Sequence, residues 1–219
     1  MATRRPYLLI VLPLALAACG GSSSSKNGGD LPSAVQKTLA QGSEKVGING
    51  KVDLSGQTLT LDGNGAFGTK GGTLHLNLTV PVLGKTTVDE IVVGKQAWLK
   101  SALVGQKWVP LGNNPKALGF NAQALVGVTP ATALRLLQKG TATRSGDHYD
   151  VKLGQTTGGA TFNSAQAWVN DQNLVDKVKL DFDANIAGSG KAHSVLTIDY
   201  SDFGTPVSVA PPPASEVSG

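Results

Sequence analysis

The stretch TLHLNLTV, residues 73–80, alternates without a break. Leu74, Leu76, Leu78 and Val80 fall on one side of an extended chain; Thr73, His75, Asn77 and Thr79 fall on the other. A period of two marks a β-strand with one dry face and one wet face, and strands of that kind are characteristic of antiparallel sheets. The same pattern spreads in both directions. KVGINGKVDL (45–54) brings Val46, Ile48, Val52 and Leu54 into phase. TLTLDGNGAF (58–67) adds Leu59, Leu61 and Phe67, with Gly63 and Gly65 where a strand would bend. TTVDEIVVGKQAWLK (86–100) reads as a hairpin turning at Gly94-Lys95, and QKWVPL (106–111) as a short strand.

Helices punctuate the strands. LPSAVQKTLAQ (31–41) carries Ala34, Val35, Thr38 and Leu39 at helical spacing, with Gly42 to end it. PKALGFNAQALVG (115–127) and TPATALRLLQKG (129–140) predict two more; in the second, Thr129 is an N-cap, Pro130 opens the first turn, and Gly140 closes the helix. Strands then return: ATRSGDHYDVKL turns at Ser145-Gly146-Asp147, and TFNSAQAWVNDQNLVDKVKLDFDA turns near Asp171-Gln172-Asn173. The arm after that turn sets Val178, Leu180, Phe182 and Ala184 against Lys177, Lys179, Asp181 and Asp183; SVLTIDYSDFG adds Leu196, Ile198 and Tyr200. The expected class is α+β: a strongly curved antiparallel sheet, a half-barrel, wrapped around a few short helices. A dry sheet face needs a cover, and two or three short helices are a small cover for so many strands. An apolar cavity between sheet and helices is the consequence we expect.

Composition sets the outer limits. The chain has 219 residues, 40% hydrophobic and only 5% aromatic, with 28 glycines. That length suits one domain. A single cysteine rules out an internal disulfide. Setting aside Arg4 and Arg5 of the N-terminal leader takes the 19 basic residues to 17, against 15 acidic ones. Such a balance, without a basic cluster, gives no reason to expect nucleic acid as a partner.

Residues 1–18 read as a lipoprotein signal peptide: a basic start (MATRRPY), an apolar run (LLIVLPLALA, 8–17) and small residues at its end. The run is shorter than the roughly 20 apolar residues that span a bilayer, and no later segment matches it, so no transmembrane helix is expected in the mature chain. Leu16-Ala17-Ala18-Cys19 resembles the bacterial lipobox. That resemblance implies a diacylglycerol thioether on Cys19, cleavage before it, and further acylation of the new amino group; two or more acyl chains hold a protein at a membrane where one does not. Residues 19–30, rich in glycine and serine, then form a flexible tether, and residues 31–219 a single domain. The expected location is the cell membrane, lipid-anchored on the extracytoplasmic side.

Catalytic and metal-binding patterns are missing. His75, His148 and His193 are widely spaced and form no HExxH-like pair. Asp181 and Asp183 share a strand face with Lys177 and Lys179, which reads as a charge-balanced wet surface. The DGNG at 62–65 has Ala66 where a calcium loop needs oxygen. We expect no enzyme, no cofactor and no metal. Trp98, Trp108 and Trp168 suit either packing or the rim of an apolar cavity.

The lipobox, the tether, the opening helix and the closing segment LTIDYSDFGTPVSVAPPPASEV (196–217), with AWVNDQNLVDKVKLDF (167–182) and QAWLK…KWVPL (96–111), resemble actinobacterial, mycobacterial-type lipoproteins of the LppX/LprAFG family. The resemblance implies a LolA-like half-barrel that holds acylated lipids or glycolipids in an apolar cavity and helps move them across the envelope, with an export transporter as a further partner. On that reading Leu74, Leu76, Leu78, Val80, Leu180 and Phe182 line the sheet side of the lipid site, and Leu118, Phe120, Leu134 and Leu137 its helical side. The competing expectation is an envelope sensor or scaffold with a filled core that binds a protein partner.

Overall fold

A computed structural model describes residues 30–81, 84–102, 105–111, 129–157, 159–186 and 190–218. The leader, Cys19, the glycine–serine tether and the 115–127 segment with Leu118 and Phe120 lie outside the described residues. The described chain opens with helix α1 (Leu31–Ala40) and continues through β1 (Ser43–Leu54), β2 (Gln57–Gly68), β3 (Gly71–Val80), β4 (Gly84–Val93), β5 (Gln96–Ser101) and β6 (Gly105–Pro110). Helix α2 (Pro130–Lys139) follows, and then β7 (Thr141–Ser145), β8 (His148–Thr157), β9 (Ala160–Val169), β10 (Val175–Ile186) and β11 (Gly190–Ser201). A 3-10 turn over Ala214–Glu216 lies in the tail.

All eleven strands join one antiparallel sheet in the order β6-β5-β4-β3-β2-β1-β11-β10-β9-β8-β7. Two meanders make it. The first runs outward from β1 to the β6 edge; the chain then crosses through α2 to the opposite edge and works back from β7 to β11. The meanders meet where β1 pairs with β11, with Ile48 opposite Ile198 in mid-ladder. Each hairpin expected from the sequence is present, and the alternation of residues 73–80 holds: Leu74, Leu76 and Leu78 are buried, while Thr73 and His75 are exposed. Phase breaks once on β9, where Asn163 is passed over between Ser164↔Asp181 and Phe162↔Phe182. This bulge lets Phe162 and Phe182 meet inside, ring centres 5.2 Å apart.

The helices cover the half of the sheet built from the second meander. Helix α1 packs on α2 and β10, and α2 on β8 and β10. Thr38 ties the layers together. Its hydroxyl donates to the Ala34 carbonyl at 2.8 Å and accepts the Val175 amide at 2.8 Å, fully buried. Helix α2 starts as expected, with Thr129 Oγ1 accepting the Thr132 amide at 3.2 Å and proline in the first turn. Its end also falls where expected. Gly140 is the C-cap, but its backbone is extended (φ −87°) rather than left-handed. Glycine stands there for lack of room: an added Cβ would lie 2.4 Å from Val151 Cγ1 and 2.8 Å from the Lys152 carbonyl oxygen.

The tail straps the other half. The Gly204 amide donates to the Ser43 carbonyl at 2.9 Å, Val217 bridges to Trp108 in parallel, and the Ser218 amide donates to the Trp108 carbonyl at 2.8 Å. The last residues of the chain thus lie along the exposed edge strand β6, where unpaired backbone groups would otherwise invite another chain.

Candidate functional site

Among the described residues, the inner face of the sheet beside the two helices carries a cleft. Its walls are Ile48 and Val52 of β1, Leu61 and Phe67 of β2, Leu74, Leu76 and Leu78 of β3, Val88 and Glu90 of β4, Leu99 of β5, Phe182 of β10 and Ser194 and Leu196 of β11, with Thr129 and Pro130 at the start of α2. Those are seven adjacent strands. Laid flat at about 4.8 Å spacing they would span close to 30 Å, so side chains from both ends reach one cleft only because the sheet curls. The observed architecture is the expected half-barrel: a curved, open antiparallel sheet with a few short helices.

The cleft contains about 780 Å³ of space between atoms, part of it open to solvent, but only about 40 Å³ admits the centre of a water-sized sphere. That is room for a few waters, against roughly 300–1,000 Å³ in pockets that hold a small organic ligand. In this conformation the walls are nearly in contact. Tyr200, fully inside β11, donates its hydroxyl to the Pro130 carbonyl at 2.9 Å and so pins the start of α2 to the sheet.

The sequence-predicted residues divide. Leu74, Leu76, Leu78 and Phe182 line the cleft. Val80, at the end of β3, is half-buried and outside it. Leu134, Leu137 and Leu180 are buried in the helix–sheet core rather than in the cleft walls. Among the described residues the helical side of the cleft is Thr129 and Pro130, which sequence patterning points to as a cap and not as a surface, while the predicted Leu118 and Phe120 lie outside the described residues. No tryptophan lines the cleft among the described residues. Trp98 is buried, Trp168 stacks on His148 with ring centres 5.0 Å apart, and Trp108 holds the tail.

Glu90 is the residue the sequence did not disclose. It sits opposite Leu74 on one side and Leu99 on the other, turned inward and only 6% exposed. No hydrogen bond or ion pair reaches its side chain among the described residues. Burial pushes its pKa from 4.5 up to about 8, so the carboxyl keeps its proton at neutral pH. Ser194, 3% exposed, likewise faces the cleft without a hydrogen bond among the described residues. Glu44, at the other end of β1, is a second carboxyl whose pKa is raised by burial, and it lies outside the cleft walls.

The outer face carries a set of paired ionisable groups. His75 pairs with Asp89 at 2.6 Å, His148 with Asp147 at 2.9 Å and His193 with Asp183 at 3.0 Å. Asn163 donates to both Asp181 and Asp183 at 3.0 Å, and Lys177 pairs with Asp199 at 3.3 Å. Asp62 accepts from Asn77 at 3.0 Å. Among the described residues no group of three or more His, Cys, Asp or Glu side chains could hold a metal, and no helix is long and apolar enough to cross a membrane. Two wider grooves on this face, of about 380 and 470 Å³, are shallow and edged by charged and polar side chains such as Lys179, Asp181, His75 and Asp89. Their larger volumes reflect openness to solvent; the inner cleft is the most enclosed of the three.

No family model and no curated protein matches the chain. Several solved structures resemble it. Mycobacterium tuberculosis lipoprotein LppX overlays with a TM-score of 0.40 at 13% identity, over 82% of this chain and 98% of that one. A DUF1329 family protein from Desulfovibrio piger gives 0.37 at 11% identity, over 82% and 92%. A Vibrio parahaemolyticus domain described as an outer membrane lipoprotein-sorting protein gives 0.32 at 9% identity, over 81% and 93%. Overlays this partial say nothing of a ligand.

Proposed function

We propose that the chain is a lipid-anchored envelope protein of the LppX/LprAFG type, which binds acylated lipids or glycolipids between its sheet and helices and helps carry them across the cell envelope without catalysis. The observation that carries this reading is the cleft: a largely apolar surface drawn from seven strands, beside the start of α2. Acyl chains leaving water for such a surface gain about 0.8 kcal/mol per buried CH₂, so two long chains are held without a covalent step. Uptake requires the cleft to widen, since the present free space of about 40 Å³ is far too small. The leader supports membrane attachment through Cys19 on the extracytoplasmic side, and an export transporter is a fitting partner for cargo release.

Native mass spectrometry of the full-length chain carrying Cys19→Ala tests the reading, because that substitution removes covalent acylation and leaves cargo alone. Co-purified diacyl or triacyl lipid is the expected result. A ligand-free chain that also takes up no fluorescent lipid supports a second reading, an envelope sensor or scaffold with a filled core that binds a protein partner. The narrowness of the cleft is the observation in that reading's favour.

A further inference from the structure

A buried carboxyl without a partner is expensive. Glu90, for which no hydrogen-bond or ion-pair partner is found among the described residues, stands in the wall of the apolar cleft between Leu74 and Leu99, where a hydrophobic side chain would continue the surface. Beyond the proposed acyl-lipid reading, and resting on it, we propose that Glu90 is the polar anchor of the cleft and selects lipids that bring an ester or hydroxyl group into it, such as partial glycerides, over plain hydrocarbon. A carboxylic acid both donates and accepts. It can give its proton to an ester carbonyl while its own carbonyl oxygen accepts from a neighbouring hydroxyl, and Ser194 offers a further hydroxyl in the same cleft.

The charges around Glu90 favour the neutral ligand. On its own strand Asp89 faces outward and pairs with His75 of β3; on β5 Lys100 lies near Glu216 of the tail, and on β1 Glu44 lies outside the cleft walls while Lys51, which borders the cleft, is exposed. No second anion stands in the cleft walls to share the load of an ammonium group. A pure hydrocarbon would leave Glu90 and Ser194 both unanswered.

The test uses the full-length Cys19→Ala chain with Glu90 intact, with Glu90→Gln, and with Glu90→Leu. The probes are 1,2-dioleoylglycerol, squalane and octadecylamine, with binding followed by native mass spectrometry. Dioleoylglycerol should bind the parent and Glu90→Gln about tenfold or more tightly than Glu90→Leu, while squalane should bind Glu90→Leu as well as the parent or better. Equal dioleoylglycerol binding by parent and Glu90→Leu overturns the proposal and leaves lipid binding standing. Octadecylamine preferred by the parent and lost in Glu90→Gln overturns it in favour of a cationic lipid. Failure of every probe on every chain sinks the lipid-binding reading itself. Should Glu90→Leu fail to fold, infrared spectroscopy decides. The C=O stretch of the protonated carboxyl, present in the parent and absent in Glu90→Gln, should shift when dioleoylglycerol is added, and an unmoved band overturns the proposal.

Discussion

A carboxyl surrounded by leucine either finds a partner or keeps its proton, and Glu90 keeps its proton. The consequence for stability has a definite sign. In the unfolded chain a glutamate ionises near pH 4.3; in the folded chain Glu90 does so at about 8. Between those values the native form holds a proton that unfolding releases, so this group makes stability fall as pH rises, by at most about 1.4 kcal/mol per pH unit. Glu44, raised by burial, and His148 and His193, raised chiefly by their aspartates, act in the same direction. The difference between parent and Glu90→Gln therefore isolates Glu90: the Tm gap should widen in the variant's favour from pH 5 to pH 8, and a gap independent of pH would contradict the assignment. Thr38 makes the opposite point, a buried polar group fully used. Thr38→Val should cost about 1–3 kcal/mol in urea unfolding, because the Val175 amide loses its acceptor. Neither role was legible in the sequence. In TTVDEIVV both phases of the strand hold one acidic residue and two aliphatic ones, so alternation alone could not say whether Asp89 or Glu90 turns inward. Pairing with Leu74 and Leu99 decides it.

Elements were easier to read than residues, because a strand's period and a helix's cap are local. The β-hairpins and both described helices follow from alternation, turn residues and the Thr129-Pro130 cap. What local pattern could not supply is the reason for a residue. Gly140 reads as a helix cap and is one, but it is also a point of close approach, so Gly140→Ala should destabilise by more than an ordinary helix end does. Thr129→Ala should cost about 1 kcal/mol, and a larger loss for Gly140→Ala in the same denaturant titration would confirm the crowding against Val151 and Lys152. The tail is another such case. Its prolines suggest only an extended run, yet its last residues guard the β6 edge. Removing residues 214–219 should leave the fold intact by circular dichroism and raise self-association in light scattering; a truncated chain that stays monomeric would show that the edge needs no guard.

At the scale of the molecule, the sequence announced a curved antiparallel sheet with a few short helices, and the structure agrees. It did not announce strand order, because no local signal says that α2 carries the chain across to the far edge. Nor did it separate core from cleft. Leu134, Leu137 and Leu180 look like Leu74 and Leu76 in a one-dimensional pattern, and only the sheet's curl sorts them. The two meanders share a single strand ladder, β1 with β11. Ile198, fully buried at its middle, should therefore matter to both: Ile198→Ala should cost about 2–5 kcal/mol, with signals from Trp108 and Trp168, one in each meander, falling together. Separate transitions would mean the halves are stable apart. That ladder also sets a clock. The chain is made from its N-terminus, so β1 can pair with β2 at once, but its other neighbour, β11, is made only after nine further strands, and that ladder must wait for it. Until then no complete sheet can form, and the first meander has only its own strands to pair with.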